Sequence, residues 1–124
     1  MIEPRGRLRF RRRHRLLKTP EFKQVRHYGT RVATRLLILY LRENDGVNAR
    51  LGVVASKKVG NAVRRNRCKR LVREVFRINR HLFPEATDIV AIVKRKRVYP
   101  GYQAYESDFI SGVNSVSANT QMDR

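Results

Sequence analysis

The segment from Arg64 to Arg80 constrains the fold more than any other, because it is both densely cationic and helix-periodic. Wound at about 100° per residue, it places Cys68, Leu71, Val72, Val75, Phe76 and Asn79 on one side. Asn66, Lys69, Arg70, Arg73, Arg77 and Arg80 line the other. The apolar stripe predicts a helix packed on a core, and the cationic stripe predicts a polyanion. A merely solvated helix surface mixes both signs at i, i+4, whereas Glu74 is the only acid between Arg64 and Arg80 and lies beside the stripe. Like charges gathered in this way repel one another unless phosphate relieves them.

The whole chain carries the same bias: 29 Lys and Arg against 10 acids, a formal charge of +19 over 124 residues. That points to a nucleic-acid binder, and the length allows one domain with a modest core. An apolar content of 41% is enough for packing, which excludes a wholly disordered basic tail. Arg far outnumbers Lys, and the planar guanidinium binds phosphate bidentately and stacks on bases. No apolar run approaches a membrane span, and Leu16-Leu17 gives way at once to Lys18-Thr19-Pro20, so no signal-peptide core follows the basic N-terminus. A single cysteine, Cys68, excludes an internal disulfide and reads as a packing residue in a reducing cytoplasm.

Three segments are expected: a flexible basic arm over 1–15, one RNA-binding domain over 16–117, and a polar tail over 118–124. Thr19-Pro20-Glu21 opens a short helix, with Thr19 as cap and Glu21 at the positive end of the dipole. Phe22 and Val25 face inward, and Gly29, free to adopt positive φ, closes the helix. Val32 to Arg42 reads as a strand, Asn44-Asp45-Gly46 as a hairpin turn and Arg50 to Ser56 as its antiparallel partner. Lys57-Lys58-Val59-Gly60-Asn61 then leads to the basic helix, capped by Asn61 and ending near Arg80 to Leu82. The continuous apolar run Ile89 to Val93 predicts a buried central strand, parallel to the strand before the helix. Lys94 to Arg97 adds a second basic cluster, and Tyr102, Tyr105, Phe109, Val113 and Val116 mark a last amphipathic helix. The order is α-β-β(-β)-α-β-α: an α+β fold, a two-layer α/β sandwich with one mixed sheet.

Catalytic chemistry by the chain alone is poorly supplied. His14, His27, His81 and one cysteine are too scattered for a metal site, so no metal is expected to be held by protein side chains alone. Glu74 among Arg70, Arg73 and Arg77 reads as an ion-pair spacer that orients guanidiniums. There is no nucleophile elbow or phosphate-cradling glycine loop, and a self-sufficient metal-dependent nuclease lacks its carboxylate cluster. Phe22 and Tyr40 are candidates for base stacking beside arginine, while Phe22 serves equally well as a helix anchor. Lys57 and Lys58 can hold phosphate near a helix N-terminus. The cationic stripe lacks base-reading Gln and is poor in Asn, which favours backbone contacts over major-groove DNA readout.

The run Arg65-Asn66-Arg67-Cys68-Lys69-Arg70-Leu71-Val72-Arg73-Glu74 resembles the signature of the protein subunit of bacterial ribonuclease P. The resemblance extends from Arg13 to Val116: Phe22 and Val25 followed by Gly29, the strand ending at Tyr40, Leu51-Gly52-Val53-Val54 leading to Ser56-Lys57-Lys58, and Asp88-Ile89-Val90 stand in the family's order. It implies an accessory subunit of a ribonucleoprotein that removes the 5′ leader from precursor tRNA, with Mg²⁺ held mainly by the RNA, which performs the hydrolysis. Partners are then the catalytic RNA and precursor tRNA, with no membrane, no obligatory protein partner and a cytoplasmic setting. Arg65, Asn66, Arg67, Lys69, Arg70, Arg73 and Arg77 would contact the catalytic RNA. Phe22, Arg26, Tyr40, Lys57 and Lys58 would form the leader cleft. The resemblance also implies a left-handed crossover between the parallel strands, against the general rule. Arg26 stands where many members carry a second cleft aromatic, and Arg64 extends the basic run toward the apolar side without an evident partner. The rival expectation is a ribosomal protein or a non-enzymatic RNA chaperone, which would share the charge and the arm.

Overall fold

In a computed structural model of the chain, residues 19–46 and 48–122 are described, with side chains as far as Val116. The arm expected over 1–15 lies outside them, as do the side chains of the expected tail. The elements are α1 (Thr19–Tyr28), β1 (Thr30–Ala33), β2 (Leu37–Glu43), β3 (Arg50–Val54), α2 (Ala62–Ile78), β4 (Thr87–Val93) and α3 (Tyr102–Met122). Single 3₁₀ turns stand at Lys57–Val59 and Arg80–Leu82. The backbone of α3 thus stays helical beyond Ser117.

The four strands form one mixed sheet in the order β1-β2-β4-β3. β2 pairs antiparallel with β1 and β4, and β3 pairs parallel with β4. The expected parallel pair and central strand are present: in β4, Ile89, Val90 and Ala91 are fully buried. Two expectations are corrected. The apolar run after Gly29 makes two strands, because Thr34 turns the chain; its hydroxyl receives the Leu37 N–H and bonds Asp108 of α3. The hairpin between β2 and β3 does not form. β4, apolar on both faces, loses least by taking the centre and having both edges paired, so it separates them. The connection over 44–49 is long enough to cross the roughly 10 Å that one intervening strand imposes. Asn44-Asp45-Gly46 does turn, with Asn44 Oδ1 receiving the Gly46 N–H at 2.8 Å, but the Asn44 N–H donates to the Ala86 carbonyl just before β4.

Period-two alternation divides the sheet into two faces. Leu37, Leu39, Leu41, Leu51, Val53, Ile89, Ala91 and Val93 face the main core with α2 and α3. Phe83 joins the helices there, its ring 5.1 Å from Phe76 and 4.9 Å from Phe109. This is the expected sandwich. On the reverse face α1 lies alone, seated on a small cluster of Val25 and Val90 with half-buried Phe22, Tyr40, Val54 and Ile92. Gly29 ends α1 as expected, but for another reason. Among the described glycines only Gly60 has positive φ, whereas a Cβ on Gly29 would be caught between the Val25 carbonyl oxygen of α1 and the Leu41 carbonyl oxygen of β2, the latter at 2.8 Å. Close approach of α1 to β2, rather than a left-handed cap, demands glycine there.

Candidate nucleic-acid interface

The side chains that the sequence singles out as candidate RNA contacts fall into two groups on opposite sides of the sheet. The first is α2. Asn61 caps it by accepting the Arg64 N–H at 3.0 Å, and Cys68, Val72, Val75 and Phe76 are buried against α3 and β3. That burial turns the opposite stripe outward: Asn66, Arg67 and Arg70 are exposed, and Arg65, Lys69, Arg73 and Arg77 are half-exposed. Glu74 behaves as the expected spacer, receiving Arg77 Nε at 3.1 Å and Nη2 at 2.7 Å. The Arg77 hydrogen bond holds the Glu74 carboxyl below its ordinary range, and Glu74 in turn raises Arg77. Arg77 therefore presents a fixed guanidinium rather than a mobile one. Arg65 Nε is enclosed without a hydrogen-bond partner among the described residues.

Arg64 acquires the partner that sequence left open. Its guanidinium carbon lies 4.6 Å from the Tyr99 ring centroid, and Nη1 donates to the Tyr99 hydroxyl at 3.0 Å. That hydroxyl donates onward to the Val59 carbonyl at 2.8 Å. Gly60, at φ 152°, passes beneath; a Cβ there would stand 2.8 Å from the hydroxyl. Tyr99 thereby clasps the segment after the Lys94–Arg97 cluster to the start of α2, so the second basic run adjoins the first.

The second group is the cleft beside α1. Phe22 and Tyr40 come together around Val25 and Val90, both half-buried, so Phe22 anchors its helix and keeps ring surface open. Arg26 is exposed, with its guanidinium carbon 5.7 Å from the Tyr40 ring centroid. That separation is within cation–π range, so the guanidinium covers part of the Tyr40 ring. Lys57 and Lys58 are exposed in the turn between β3 and α2.

Sequence reading missed what fixes α1 in place. Arg50 Nε and Nη2 donate to the two oxygens of Asp88 at 2.8 and 2.7 Å, and Nη1 donates to Glu21 Oε2 of α1 at 2.6 Å. Asn44 Nδ2 adds a bond of 2.8 Å to Asp88, which is buried. Asp88, more than Glu21, holds the Arg50 guanidinium above its ordinary range. Arg42 extends the anchoring, donating to Gln24 at 3.3 Å and stacking 5.1 Å from the Tyr28 ring. The register Arg50↔Asp88 between β3 and β4 is the only cue, and it exists only once the parallel pairing is known.

Comparison with known proteins agrees with this geometry. A family model described as Ribonuclease P matches residues 10–116. The "Ribonuclease P protein component" of Syntrophus aciditrophicus is 41% identical over 87 residues, 70% of this chain and 73% of that one. The protein of the same name from Natranaerobius thermophilus is 36% identical over 95 residues, 77% of this chain and 83% of its own. Among solved structures, the RNase P protein of Staphylococcus aureus superposes with a TM-score of 0.73 at 30% identity, covering 84% of this chain and 94% of that one. That of Thermotoga maritima gives 0.70 at 29%, covering 86% and 96%. With its cationic α2 on one side of the sheet and its aromatic cleft on the other, the chain belongs to the ribonuclease P protein family.

Proposed function

We propose that this protein is the accessory subunit of a ribonuclease P ribonucleoprotein, gripping the catalytic RNA with one side of its sheet and the 5′ leader of precursor tRNA with the other. The observation that carries this reading is the placement of the two groups on opposite faces. One small domain can then hold two RNAs at once without the sites competing.

On α2, Arg65, Asn66, Arg67, Lys69, Arg70, Arg73 and Arg77 meet phosphates of the catalytic RNA. In the cleft, Phe22 and Tyr40 offer ring faces to unstacked leader bases, Arg26 pairs guanidinium with base or phosphate, and Lys57 and Lys58 neutralise the backbone near the start of α2. The chemistry at the scissile phosphate would be supplied by Mg²⁺ held mainly by the RNA, as a Lewis acid toward water. Among the described residues no three His, Cys, Asp or Glu gather, and Glu21, Glu74 and Asp88 are engaged by arginine. What the protein contributes is charge. Cations placed between two polyanions lower their repulsion and let the assembly form at lower Mg²⁺. No helix among the described residues is long and apolar enough to cross a membrane.

The test is cleavage of precursor tRNA by a bacterial ribonuclease P RNA at low Mg²⁺. Correct 5′ maturation is expected only with RNA and protein together, and none with protein alone. Tight binding to ribosomal RNA with no effect on cleavage would replace this reading with a structural RNA-binding role.

A further inference from the structure

The seat of α1 is thin. Val25 and Val90 are the fully buried residues of its cluster, a small apolar contact against the backbone entropy lost in ordering the whole helix. Apolar contact alone leaves little to hold the helix at one angle, and polar anchors decide where it lies. Glu21, Arg50 and Asp88 form the strongest of these, and they reach across from the sheet to the residue next to Phe22.

We propose that the Glu21–Arg50–Asp88 chain is a positioning device for the leader cleft, in which Arg50, locked by Asp88, sets the angle of α1 and hence the opening between Phe22 and Tyr40. The inference rests on the cleft reading above and adds the residues that tune it. Its physical basis is pre-organisation. The bidentate pair with Asp88 has already removed Arg50's rotamer freedom, so the bond to Glu21 orders only the glutamate. Glu21 and Arg50 remain partly exposed, at 26% and 32%, so the pair is weak as a source of global stability and effective as a locator. Each guanidinium nitrogen of Arg50 donates one of these bonds, so three of its five N–H groups are committed to holding α1 against the sheet. An acid at position 21 also works against RNA binding by charge alone. Removing it would therefore strengthen binding of every RNA if Glu21 acted only electrostatically, and weaken leader recognition if it acts through α1.

The experiment uses the protein assembled with a bacterial ribonuclease P RNA and measures affinity for precursor tRNA and for the same tRNA lacking its leader. Glu21→Ala is compared with Phe22→Ala and with the double variant; isosteric Glu21→Gln is carried in parallel, and thermal melts establish that each variant is folded. Glu21→Ala is expected to lower the precursor-over-mature preference about five-fold, with no further loss when added to Phe22→Ala, since both act on one cleft. An unchanged preference in Glu21→Ala, beside a loss in Phe22→Ala, overturns the device and leaves the cleft standing. Losses that multiply in the double variant also overturn it. A preference unaffected by Phe22→Ala overturns the cleft reading itself.

Discussion

Ala86 has φ of 52°, the left-handed region that L-residues avoid, in the last position before β4. The conformation is imposed from outside, because the Ala86 carbonyl receives the Asn44 N–H at 2.8 Å and so ends the β2–β4 ladder. An L-residue there costs about 1–2 kcal/mol, while glycine costs about 0.4–1 kcal/mol through the unfolded chain. Ala86→Gly is therefore expected to stabilise the domain by about 0.5 kcal/mol and raise Tm by about 3 °C, read by thermal unfolding. A lowered Tm would mean that the ladder holds without the turn. Residue-scale features of this kind escape a sequence reading. Nothing in Pro84-Glu85-Ala86 announces positive φ, and Gly29, which does announce it, is needed for space instead.

At the scale of elements, α2 was the most legible part of the molecule because everything that defines it is local. The Asn61 cap on Arg64, the three- and four-residue spacing of the buried stripe from Cys68 to Phe76, and the Glu74–Arg77 pair each join residues only a few positions apart. If its outer stripe meets RNA, each phosphate neutralised adds about 0.7–0.9 to the slope of log affinity against log salt. Arg70→Ala with Arg73→Ala is expected to lower that slope by about 1–2 and weaken assembly with the catalytic RNA, measured as a salt series. An unchanged slope would take the stripe out of the interface. The sheet was less legible. Asn44-Asp45-Gly46 is a sound turn signal, but strand order is settled by which strand can be buried on both faces, and that outranks a local hairpin. The Glu21–Arg50–Asp88 chain was invisible for the same reason, joining residues 29 and 38 positions apart through a register no local pattern encodes. Phe22 and Tyr40 were found from residue type and resemblance, while the lie of Arg26 over Tyr40 needed coordinates.

For the molecule as a whole, a charge of +19 opposes compaction, and the described ion pairs engage few of the cations. Folding concentrates positive charge on α2, so the native state binds anions more tightly than the unfolded chain and is stabilised by mass action. Millimolar sulfate or phosphate is expected to raise Tm by several degrees, more than chloride at matched ionic strength, in a melting series. Equal effects of the three salts would mean screening alone.

The strand order β1-β2-β4-β3 also has a consequence for synthesis on the ribosome. As the chain emerges, α1, the first three strands and the whole of α2 are made before residue 87, yet β2 and β3 have no edge in common until β4 slides between them. For that interval the nascent chain exposes two incomplete sheet edges and nearly all its arginines, a state prone to mispairing and to capture by nearby RNA. Completion of the strand Thr87–Val93 is thus the event that commits the chain to its fold, and it comes after the whole of the cationic helix α2 has been made.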